Sequence, residues 1–163
     1  MGLFDKLLGK KDEVKSYYSR EGTFVNCEDL LKQLYATKTR VDIHFSYLSL
    51  IEQTYNRRKE PEARALFMRL ALEHMESFGS FKKALLKDFQ LREVEPGHYQ
   101  DKGGLSARFP HVPTFQYLAT VYTEEGEYEK AIEICEKAIS FGLHDWTKGD
   151  YQGRIERIKK KMQ

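Results

Sequence analysis

Two apolar stripes of helical period, separated by a glycine, constrain this chain more than any other feature it contains. Phe115, Leu118, Ala119 and Tyr122 stand at relative positions 0, 3, 4 and 7, the recurrence of one face of an α-helix. Glu124-Glu125-Gly126-Glu127 interrupts the stripe, and Gly126 is suited to the left-handed conformation that ends a helix. A second stripe follows at Tyr128, Ala131, Ile132, Cys135, Ala138 and Ile139, and stops at Ser140-Phe141-Gly142. A third, Tyr151, Ile155, Ile158 and Met162, carries Arg154, Arg157, Lys159 and Lys160 on its other faces. The pattern predicts a helical hairpin followed by a one-sided helix.

The stretch PTFQYLATVYTEEGEYEKAIEICEKAISFGL, within about 112–145, resembles one tetratricopeptide repeat (TPR), a helix-turn-helix unit of about 34 residues. Phe115, Leu118, Ala119, Tyr122, Gly126, Tyr128, Ala131, Cys135 and Ala138 occupy the large and small positions of that family's consensus. Leu143 stands where the family usually has proline. The physical logic agrees: small Ala119, Ala131 and Ala138 let two helices approach closely, and Phe115, Tyr122 and Tyr128 fill the gaps.

A middle segment, about 44–78, reads as a degenerate second unit. Val41, His44, Phe45, Leu48, Ile51 and Tyr55 form one stripe, and Ile43, Tyr47, Leu50 and Thr54 form another. A helix apolar on two sides is expected to sit between neighbours. Asn56 to Pro61 is the turn, with Pro61 suited to a first helical turn. Ala63, Leu66, Phe67, Leu70, Ala71, His74, Met75 and Phe78 make the second helix. Tyr55 and Tyr122 lie 67 residues apart, close to two repeat lengths. The segment departs from the pattern at Glu52, where a small residue is expected.

Phe81, Leu85 and Phe89 suggest a separate helix ending near Arg92. From Glu95 to Pro113 the periodicity collapses at Pro96, Gly97, Gly103, Gly104, Pro110 and Pro113, which predicts a long irregular loop. Upstream, Leu30, Leu31, Leu34 and Tyr35 form a short helix that Asn26 can cap. The opening Met1–Lys11 is amphipathic, with Leu3, Phe4, Leu7 and Leu8 on one side. The organisation expected is a single all-α domain over 1–163. It has a weakly ordered 1–24, helices over 25–92, a loop over 93–113, and the repeat with a capping helix over 114–162.

Composition narrows the function classes. The 163 residues are 40% hydrophobic and 32% charged, with 11 Gly and 4 Pro, which excludes a disordered or collagen-like chain. No apolar run approaches the roughly 18 residues of a membrane span. Lysine and arginine number 27 against 25 acidic residues, a net +2 too small to demand nucleic acid. The charge is uneven, however. Residues 112–146 hold 2 basic and 7 acidic side chains, whereas 148–163 hold 6 basic and 2 acidic. Two cysteines, Cys27 and Cys135, form no framework, and a reducing, cytoplasmic location is expected. Cys135 occupies a repeat core position, so it is expected to be buried and inert.

His44 and His74 sit on apolar stripes, equally far from the turn near Lys59. A zinc site wants three or four ligands, and neither HExxH nor a nearby cysteine is present, so two buried histidines without metal are expected. The 95–113 loop offers His98, Lys102, Arg108 and His111, types able to bind an anion or move a proton. Neither the Walker A order nor GxGxxG accompanies them.

The reading is an all-α, TPR-like superhelix of about seven helices with flanking capping helices, acting as a non-enzymatic adaptor without cofactor. The resemblance implies a concave face lined by the first helix of each repeat. It assigns Gln116, Thr120, Thr123 and Glu124 to that face, and Ser49, Gln53, Asn56 and Arg57 in the degenerate unit. These lack the several cations of a carboxylate clamp for chaperone tails. The expected partner is a protein or peptide. Two repeats are few for a stable stack, so flanking helices or a second copy, as a homodimer, must cap them. The alternatives are an enzyme with its site in the 95–113 loop, and nucleic-acid binding through the basic C-terminal helix.

Overall fold

A computed structural model describes residues 39–89 and 109–163 of the chain. Five helices and no strand lie among the described residues: α1 (Arg40–Asn56), α2 (Pro61–Asp88), α3 (Thr114–Glu124), α4 (Tyr128–Ser140) and α5 (Asp150–Lys161). The class is all-α. The amphipathic opening, the expected helix at Leu30–Tyr35, Cys27 and the loop as far as Arg108 lie outside the described residues. The chain divides into two units between Leu70 and Ala71, within α2.

In the first unit, α1 begins at Thr39, whose Oγ1 accepts from the Asp42 amide at 3.0 Å and satisfies one orphan donor. Its buried face is His44, Tyr47, Leu50, Ile51 and Thr54. That face runs along the seam of the two expected stripes, drawing on both, and leaves Phe45 41% exposed on the other side. The turn to α2 is fixed by Arg57, which grips Glu60 through Nε (3.0 Å) and Nη2 (2.6 Å). Pro61 opens α2, where its missing N–H costs nothing. Tyr55 and Phe67 meet across the turn with ring centroids 5.5 Å apart.

Separate helices were expected over 63–78 and from Phe81 onward; α2 instead runs unbroken through Ser77-Phe78-Gly79-Ser80. The reason is phase. Ala71, His74, Met75, Phe78, Phe81, Lys82 and Leu85 are all buried and keep one continuous 3.6-residue stripe. One glycine in a helix costs only about 1 kcal/mol, which this burial outweighs.

In the second unit, α3 and α4 occupy the segments the two stripes predict. Glu125-Gly126-Glu127 joins them. Gly126 adopts φ +78°, and the amides of Gly126 and Glu127 return to Thr123 O (3.2 Å) and Tyr122 O (2.9 Å). Both bonds of a Schellman stop are present, so the chain reverses within three residues. Ala119, Ala131 and Ala138 are wholly buried, and α4 also packs on α5. Phe78, Phe115 and Phe141 form an aromatic triad with centroids 5.0–5.9 Å apart, all edge-on. His74 stacks on Phe81 and shares a 2.9 Å hydrogen bond between Nδ1 and Thr114 Oγ1. The α2 segment of this unit is thereby tied to the start of α3.

Candidate functional site

The outer face of α3 carries Gln116, Thr120 and Thr123, all half-buried, and exposed Glu124. The two threonine hydroxyls turn back on their own helix, donating to Gln116 O (2.8 Å) and Ala119 O (2.6 Å). Thr120 Oγ1 also accepts from Arg154 Nη1 at 3.3 Å, so this face continues onto α5. In the first unit, Ser49 Oγ accepts from Gln53 Nε2 at 3.3 Å, Asn56 is exposed, and Arg57 is committed to Glu60.

Beside α3 lies a cluster the sequence did not signal. Gly142 (φ +71°) closes α4 with a second Schellman stop, its amide on Ile139 O and that of Leu143 on Ala138 O. The chain then turns through His144-Asp145-Trp146-Thr147-Lys148-Gly149 into α5. Three backbones in the turn and at the start of α5 take positive φ: Trp146 (58°), Gly149 (76°) and Asp150 (56°). For tryptophan this is a strained conformation that surrounding bonds must hold. Two carboxylates do so. Asp145, buried, accepts from the Thr147 amide (2.9 Å), the Thr147 hydroxyl (2.7 Å) and Arg154 Nε (2.7 Å). Asp150 Oδ1 accepts from the Asp145 amide and Oδ2 from His144 Nδ1, each at 2.6 Å.

Burial alone would raise the Asp145 carboxyl. The bonds from Thr147 and Arg154 outweigh it and hold the group below the usual carboxylate range. Gly149 and Gly153 are needed for the close approach, because a Cβ on Gly153 would stand 2.6 Å from Lys148 O. Arg157 completes the clasp, donating to Lys148 O (2.7 Å) and Thr147 Oγ1 (3.0 Å).

His144 on Asp150 has the arrangement of a base and its orienting carboxylate. The nearest hydroxyl in the network, Thr147, donates to Asp145, so it acts as a strut and not as a nucleophile. Cys135 is wholly buried and its thiol is pushed up to about 12 by desolvation, which removes it as a nucleophile at neutral pH. The Tyr151 hydroxyl is raised by burial as well. Among the loop residues, His98, Lys102 and Arg108 lie outside the described residues. His111 is exposed, and partial desolvation lowers its imidazole while Asp145 opposes that shift. No group of three or more metal-ligating side chains occurs among the described residues.

Compared with family models, curated proteins and solved structures, the chain matches none. No helix among the described residues is long and apolar enough to cross a membrane.

The His144–Arg154 cluster escaped the sequence because its partners fall at irregular separations and carry no period. The available signal was Asp145-Trp146-Thr147-Lys148-Gly149-Asp150, two aspartates enclosing a glycine just before a helix, which marks an Asx-rich turn.

Proposed function

We propose that the protein is a non-enzymatic, TPR-like interaction module that holds a protein or peptide partner on the exposed faces of its first helices. The observation that supports this reading most is the α3–α4 hairpin. Its wholly buried Ala119, Ala131 and Ala138 sit on the inner faces, and the polar set Gln116, Thr120, Thr123 and Glu124 lies off that core. Side chains that lie off the apolar core yet line one helix face are the ones a ligand can engage without disturbing that core. On α1, Ser49, Gln53, Asn56 and Arg57 are the corresponding set. The α5 helix serves as the cap that a short repeat array needs to cover its last apolar face.

Affinity in such modules concentrates in a few central side chains. The test is partner capture from the native lysate by the full chain. Alanine at both Gln116 and Thr120 is expected to weaken capture, with circular dichroism confirming the fold. Neutralising Lys159, Lys160 and Lys161 is expected to leave it nearly unchanged. Loss of the partner in the lysine variant alone would overturn the groove and favour an electrostatic partner such as nucleic acid.

A further inference from the structure

The outer side of the 144–150 turn presents a feature separate from the α3 face. Trp146 is 60% exposed, the most open of the large apolar side chains that stand out among the described residues. Its backbone is held at φ 58°, an uncommon conformation for tryptophan, and one side of the indole meets the His144 ring with centroids 5.5 Å apart while much of it stays open. The two residues that follow it are pinned by Arg157, through Lys148 O and Thr147 Oγ1. Both of those acceptors are neutral. Arg154 has its charge answered by Asp145 at 2.7 Å, whereas no carboxylate among the described residues pairs with Arg157 or with exposed Lys148. A guanidinium fixed by two neutral oxygens keeps donors to spare and a full charge, which is how a protein prepares an anion contact without flexible side-chain cost.

We infer that Trp146, Lys148 and Arg157 form a docking patch for a short acidic peptide segment. A carboxylate of the ligand sits on Arg157 and Lys148, and an adjacent apolar side chain lies against the indole. The charge distribution selects this occupant over a nucleic acid. The neighbouring stretch 112–146 holds 7 acidic side chains against 2 basic ones and repels a long polyanion within a Debye length of about 8–10 Å. A single exposed aromatic also falls short of the successive stacking platforms that single strands use. The patch does not depend on the α3 groove, and its variants leave Gln116 and Thr120 untouched.

Trp146 is the only tryptophan in the chain, so the site carries its own reporter. The full chain is titrated with a capped peptide of alternating Glu and Leu, following tryptophan emission. A saturable change is expected, and the same peptide with Gln for Glu is expected to bind about tenfold more weakly, the worth of one charge-assisted hydrogen bond. Arg157→Gln should weaken the Glu peptide by a similar factor. Lys148→Gln, which removes an exposed side chain and leaves the backbone carbonyl in place, should weaken it even if Arg157→Gln perturbs the turn. Equal binding of the two peptides, no response to either substitution, or no saturable signal would each overturn the proposal. Tighter binding of a short oligothymidylate would overturn it in favour of a nucleic-acid surface.

Discussion

Asp145 shows how one residue can organise a turn. Its side chain is wholly buried, its acceptors are filled by Thr147 and Arg154, and the strained turn stands on those bonds. Buried ion pairs contribute little net stability, but removing one partner strands the other in a medium that cannot solvate it. Arg154→Met is therefore expected to destabilise the protein by about 3 kcal/mol, read as a shift in the urea midpoint. Adding Asp145→Asn to it should recover much of the loss, because the remaining group is neutral. A double variant no more stable than the single one would show that the arginine acts through packing alone.

At the scale of the element, the two helical glycines make opposite cases. Gly79 sits in the middle of α2, and a Cβ there meets only the Phe141 ring at 3.9 Å, an ordinary contact. Gly79→Ala is expected to stabilise by about 0.5–1 kcal/mol through reduced backbone entropy in the unfolded chain. Gly153→Ala offers the same gain in propensity but drives a methyl into the Lys148 carbonyl, and a net loss of about 1–3 kcal/mol is expected. Thermal midpoints should move in opposite directions, by about 2–4 °C per kcal/mol. These two positions also mark where the sequence was legible. The α3–α4 hairpin was readable residue by residue, since its stripes, its small residues and Gly126 all point the same way. The unbroken α2 was not, because Ser-Phe-Gly-Ser resembles a stop and only burial on both sides of it decides otherwise. The face of α1 was half readable: periodicity gave two candidate stripes, and the choice of the seam between them is made by neighbours, not by the helix itself. The candidate groove residues could be placed on helix faces, whereas the turn at 144–150 depends on side-chain bonds that follow no period.

For the whole molecule, acid should act in two windows. His44 is wholly buried, and desolvation lowers its imidazole from 6.5 to about 4. The unfolded chain then binds a proton there that the folded one refuses. Stability is full above about pH 6.5 and falls as pH drops toward 4, by about 3 kcal/mol at most. His111 adds a smaller contribution of the same sign. Asp145, whose folded carboxyl is depressed, keeps its contribution above about pH 4 and loses it only as pH falls further. His44, the main group of the first window, lies in the unit ending at Leu70, whereas His111 and Asp145 lie in the unit beginning at Ala71. Denaturant midpoints measured between pH 7.5 and 4.5 should fall for the parent chain and stay nearly level for His44→Leu; an unchanged slope in that variant would refute the assignment. The three-residue link Glu125–Glu127 bears on something else, the order of assembly. Because α3 and α4 meet across so short a connection, and α4 and α5 are also neighbours in sequence, the contacts among these three helices require little search through chain space, unlike those that tie them to α2. Low contact order of this kind goes with fast folding. The α3–α4 hairpin, the most local of these pairings, is therefore expected to form ahead of the turn and helix that seal its open side.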